Sequence, residues 1–101
     1  MTDVPGPDAS SNGQPLHLRL HVARPGPNSL RAIDNLSELR REEGGDEWQV
    51  DIVDAAEDPE GALRDGVLVA PTLVRVVPLP VVKIIGDLSD RRTVVATLRQ
   101  R

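Results

Sequence analysis

The side chains of this sequence that could do chemistry are few. His17 and His21 are four residues apart, a spacing that on a helix would bring both imidazoles to one metal ion. The run 16–22 (LHLRLHV) alternates strictly, however, and reads as a strand. On a strand the two rings lie roughly 13 Å apart at about 3.3 Å per residue, too far to share a zinc bound at about 2 Å. A solvated polar strand face accounts for them, and no metal is expected. Asp51, Asp54, Glu57 and Asp58 gather at the end of a second strand. Paired carboxylates there would suit glycoside chemistry if an apolar setting raised one pKa and aromatic rings held a sugar, and the neighbouring sequence supplies neither. Helix capping and loop solvation explain these groups. Gly26, Gly44, Gly45, Gly61, Gly66 and Gly86 never take the phosphate-cradling spacing that follows a strand and opens a helix. The chain has no cysteine, which removes disulfides, Cys-ligated zinc, iron–sulfur clusters and thiol redox catalysis together. No catalytic residue and no cofactor are expected, and the chain reads as a non-enzyme.

Composition narrows the partners. A chain of 101 residues is the size of one domain with one modest core. There is no Phe or Tyr, and Trp48 is the only aromatic, so the core must be aliphatic. The net charge of -4 and the lack of stacking platforms argue against nucleic acid. Arg91, Arg92, Arg99 and Arg101 suit an acidic surface, although cations near a helix C-terminus are the plainer explanation. Residues 1–14 have neither a basic start nor an apolar run, and no later segment is long enough to cross a bilayer, so a soluble cytoplasmic protein is expected.

The elements that must position these residues follow from pattern. Residues 1–15 are rich in Pro, Gly, Ser and Asp and read as a disordered tail before a domain spanning 16–101. Strand one points Leu16, Leu18, Leu20 and Val22 inward. After the loop RPGPNS, Asn28 or Ser29 caps a helix carrying Leu30, Ile33, Leu36 and Leu39, which ends at Gly44-Gly45. Strand two covers 49–54 with Val50 and Ile52 inward, so a right-handed βαβ crossover is expected. Asp58-Pro59 opens a short helix ending near Gly66. Two apolar runs, 67–77 and 81–85, flank the turn Pro78-Leu79-Pro80 and read as a hairpin. The last segment carries Val94, Val95 and Leu98 at helical spacing with Ser89 as its cap, yet Thr93, Val94, Val95 and Thr97 are β-branched and favour strand. The resulting order, βαβαββα, is an α/β (α+β) arrangement of minimal thioredoxin-like form. Pro71 stands where such folds commonly place a cis proline, and spacing alone leaves its isomer open.

Residues 18–22, Ala23 and 27–32 (PNSLRA), followed by 68–73 (LVAPTL), 74–80 (VRVVPLP) and 83–90 (KIIGDLSD), resemble the KaiB family over most of the chain. The resemblance implies a clock or clock-like adaptor that binds a KaiC-like ATPase ring. It also implies alternation between a thioredoxin-like monomer and a ground-state dimer or tetramer of order βαββααβ, with the C-terminal half rearranging. KaiA-like or histidine-kinase partners, in stress or sensory signalling without a clock, are the other roles it allows. By the same resemblance, partner contacts fall on Arg24, Asn28, Trp48, Val50, Ile52, Asp54, Glu57 and Asp58. Trp48 has core packing as its alternative role. The residues governing the switch would be Pro71, Gly86, Asp87 and Asp90. A redox-inactive thioredoxin-like enzyme is the third reading, with Ser29 as the sole weak nucleophile of the loop where a CxxC would sit.

Overall fold

The computed structural model describes residues 15–24 and 26–100, so the expected tail, up to residue 14, lies outside the described residues. Alternation in LHLRLHV forms β1 (Leu16–Val22), and the crossover helix α1 (Pro27–Leu39) returns the chain so that β2 (Trp48–Asp54) pairs parallel to β1, from Leu16 opposite Trp48 to Val22 opposite Asp54. A short helix α2 (Pro59–Arg64) precedes β3 (Thr72–Val77), which runs antiparallel along the other side of β1 and carries β4 (Val82–Ile85) on its outer edge. The sheet order is β2-β1-β3-β4, and α3 (Arg91–Leu98) ends the fold.

The core divides by strand alternation. Leu18, Leu20, Val22 and Leu73 face Ala32, Leu36 and Leu39 of α1 and Val94 and Leu98 of α3, with Trp48 and Leu88 in the same cluster. Val74, one residue on from Leu73, points to the opposite face and meets Ala62 and Val67 beneath α2. Truncating one of the fully enclosed leucines, such as Leu20 or Leu36, would cost about 2–5 kcal/mol.

Several local expectations are corrected. α1 begins two to three residues early: Gly26 is its N-cap without a side-chain bond and Pro27 takes the first turn, so neither Asn28 nor Ser29 caps it. A five-residue π-helical turn, Arg40–Gly44, and a short 3-10 turn, Gly45–Glu47, carry the chain from α1 into β2. A Cβ on Gly44 would overlap the Trp48 ring, so glycine lets this turn close over the indole. The first hairpin strand starts only at Thr72, and residues 67–70 are not strand. Asp90, not Ser89, caps α3 by accepting from the Thr93 backbone N–H at 3.2 Å. Helix prevails over the β-branched residues of α3 because Val94 and Leu98, four apart, both reach the core. Asp58 does cap α2, accepting from Gly61 N–H at 2.9 Å.

Candidate partner-binding surface

Among the described residues β2 is an edge strand, hydrogen-bonded only to β1, so its outer side presents backbone groups open to an added strand. Its side chains are less buried than the alternation predicts. Ile52 is 40% exposed and Val50 is half-buried, because α1 stands back from the edge. Between them lies a groove of about 390 Å³ lined by Ile33, Leu36, Ser37, Arg40, Gln49, Val50 and Ile52. Trp48 is only 2% exposed and belongs to the main core, the role weighed against partner contact for it in the sequence. The Trp48 carbonyl accepts from Arg40 Nε at 2.7 Å, which closes this end of the strand.

At the other end of β2 the carboxylates shape the turn. Asp54 Oδ1 accepts from the Ala56 N–H at 2.9 Å, and the Asp54 carbonyl accepts from Glu57 and Asp58 N–H. Arg24, from the loop after β1, approaches Asp54 at 3.6 Å. Arg24, Ile52, Asp54, Glu57 and Asp58 therefore share one end of the sheet, with an apolar side chain next to an acidic turn. Asn28 is drawn elsewhere: its Oδ1 accepts from Arg31, whose Nε reaches Asp87 Oδ2 at 3.4 Å.

Of the four residues assigned to switching, Pro71 and Gly86 are joined directly, and Asp87 and Asp90 follow Gly86 on the way into α3. The Ala70–Pro71 bond is cis, as are Val77–Pro78 and Leu79–Pro80. The Pro71 carbonyl accepts from Gly86 N–H at 3.0 Å, and Gly86 has φ +121, a conformation that side chains resist. Asp87 accepts from Ser89 N–H through Oδ1, and its carbonyl accepts from Asn35 Nδ2 at 2.8 Å, tying the segment to α1. The hydrogen bonds from Ser89, with help from Arg31, hold the Asp87 carboxyl below its ordinary pKa. Asp90 is lowered likewise, by its bonds from Thr93.

Among its described residues, the loop after β1 offers only Ser29 as a hydroxyl. Ser29 is 2% exposed and its Oγ accepts from Ala23 N–H at 2.9 Å, so the hydroxyl is a structural acceptor rather than a nucleophile. The histidines are also corrected. His21 is 1% exposed, not solvated, because α2 covers this face, and its Nε2 meets Asp65 Oδ2 at 2.8 Å. Arg19 Nη1 donates to both oxygens of the same carboxylate at 2.9 and 3.0 Å. Burial pushes the Asp65 carboxyl up, but the bonds and charges of His21 and Arg19 outweigh it and leave the pKa below its usual value. His17 pairs separately with Asp51 at 2.7 Å, and among the described residues no group of three or more His, Cys, Asp or Glu could hold a metal ion. Asp65 escaped the sequence reading: only the polar alternation of Arg19 and His21 hinted that this face needed an acceptor. Among the described residues no helix is long and apolar enough to cross a membrane.

The family model for the KaiB domain matches residues 19–100. The chain belongs to the KaiB family. It is 43% identical over 81 residues to the circadian clock oscillator protein KaiB of Microcystis aeruginosa, covering 80% of this chain and 78% of that one. To the protein of the same name from Synechococcus elongatus it is 42% identical over 81 residues, covering 80% and 79%. Among solved structures, the N-terminal domain of Synechococcus elongatus SasA superposes with a TM-score of 0.68 at 22% identity, over 94% of this chain and 90% of that one. Fasciola hepatica thioredoxin superposes at 0.67 with 20% identity, over 88% and 86%. These two likenesses establish a thioredoxin-like fold for this KaiB-family chain.

Proposed function

We propose that this chain is a non-enzymatic protein-binding module of a clock or clock-like timing system, and that its partner is a KaiC-type ATPase ring. One observation carries the reading: a thioredoxin-like scaffold of the KaiB family has no cysteine, and the one hydroxyl in its vacant loop is buried and already bonded. Recognition is assigned to the open edge of β2 and the adjoining turn, through Val50, Ile52, Asp54, Glu57, Asp58 and Arg24. An added strand would satisfy the free backbone groups of β2 while Ile52 enters an apolar site on the partner. Exchange with a second packing of the C-terminal half belongs to the same proposal. Weak, β-branched helix propensity in α3 and the positive φ of Gly86 just before it support it. The test is size-exclusion chromatography of the purified chain with a cognate ring ATPase, loaded in turn with ATP, ADP and no nucleotide. A co-eluting complex in at least one state is expected, and its absence in all three refutes the reading.

A further inference from the structure

Arg75 is the one charged residue of β3 (TLVRVV), and it is completely buried. Its Nη1 donates to the carbonyls of Leu98 at 2.7 Å and Gln100 at 2.6 Å, and its Nη2 donates to the carbonyl of Pro80 at 2.7 Å. Among the described residues Nε has no partner. Burial draws the guanidinium pKa down from its usual value, yet an arginine stays charged throughout the working range. A buried charge is tolerated only where its surroundings compensate it. Here the compensation comes from main-chain oxygens at the C-terminal end of α3, where a helix leaves its carbonyls unpaired and its dipole is negative, and from the β3–β4 turn.

We propose that Arg75 is a latch that holds residues 80–100 to the sheet as one detachable unit. Its planar fork, fixed on β3, serves carbonyls from two separate segments at once, and all three bonds exist only while α3 is docked and the turn is closed. Besides the β3–β4 ladder, the Gly86 N–H bond to the Pro71 carbonyl and the Asn35 bond to the Asp87 carbonyl, the remaining ties of the unit are of two kinds. Val94, Leu98 and the preceding Leu88 enter the core, and exposed ion pairs join Arg91 to Glu42 and Arg99 to Glu43. Pairs of that exposed kind contribute little. If the guanidinium loses its oxygens, both the buried charge and the helix-end carbonyls are stranded, so the unit opens in one step rather than fraying. The latch is a property of this fold by itself and stands whether or not the C-terminal half adopts a second packing or a ring ATPase binds.

Native-state hydrogen exchange across a series of low urea concentrations tests it, on the full chain and on Arg75→Met and Arg75→Lys. In the wild type, amides of β4 and α3 should exchange through a shared opening with a smaller urea dependence than the amides of β1 and α1. Arg75→Met should make that opening about 100-fold more populated, and Arg75→Lys, which keeps the charge without the fork, about 10-fold. The proposal is overturned if α3 and β1 amides follow one common opening in the wild type, or if α3 protection is unchanged in the variants. Should Arg75→Met fail to fold, the lysine variant and the wild-type isotherms decide the matter.

Discussion

Replacing Asp65 with Asn keeps the shape of the side chain under α2 and removes its charge. In the wild type the carboxylate, 11% exposed, accepts from His21, which is 1% exposed, and from Arg19, which is 31% exposed. A hydrogen bond to a charged group contributes about 1.5–3 kcal/mol when buried. The His21 bond falls in that range at its lower end, since asparagine still offers one oxygen, while the more open Arg19 pair is worth under about 1 kcal/mol. Together they predict a loss of about 2 kcal/mol at neutral pH, or a fall in Tm of roughly 10 °C for a domain of this size. The pH dependence has a definite sign. The folded pKa of Asp65 lies below its usual 3.8, so the stabilisation is complete above that value and disappears as pH falls through it toward the folded pKa. Urea unfolding of both proteins, followed through Trp48 emission at about pH 7, 5 and 3, checks this. The gap between them should be present at the two higher values and shrink at the lowest. A gap under about 0.5 kcal/mol at neutral pH, or one undiminished in acid, refutes the reasoning.

Trp48 is the only aromatic and is enclosed, so its emission should be blue-shifted and resist acrylamide in the folded protein, moving to the red in one transition with urea; free quenching of the native protein would contradict its core role. Asp58→Ala removes the cap of α2 and should lower stability by about 1 kcal/mol in urea unfolding. Ile52→Lys should leave stability within about 0.5 kcal/mol, because the position is half open, while weakening association with the ring ATPase at least roughly tenfold by titration calorimetry; unaltered affinity would move the interface off the β2 edge.

Much of this protein was legible along the chain because it is written in local periods. The alternation of 16–22, the threefold recurrence of leucines in α1 and the Asp58-Pro59 signal each depend on neighbours a few residues away, and each formed its element. The missing cysteine settled what chemistry was absent, and the KIIGDLSD run carried the family resemblance, before any packing was known. Other features depended on residues far apart in sequence. The acceptor for His21 and Arg19 comes from Asp65, more than forty positions on, and the oxygens around Arg75 come from the far end of α3. Ile52 read as core by alternation and proved half open because only the assembled sheet determines which strand lies at its edge. The choice between helix and strand at 91–98 was likewise tertiary, since β-branched residues oppose the helix and the core receives Val94 and Leu98 only in helical spacing. Local periodicity is a property of adjacent residues, whereas burial of a charge, exposure of an edge and the pairing of distant polar groups arise only when the chain closes on itself.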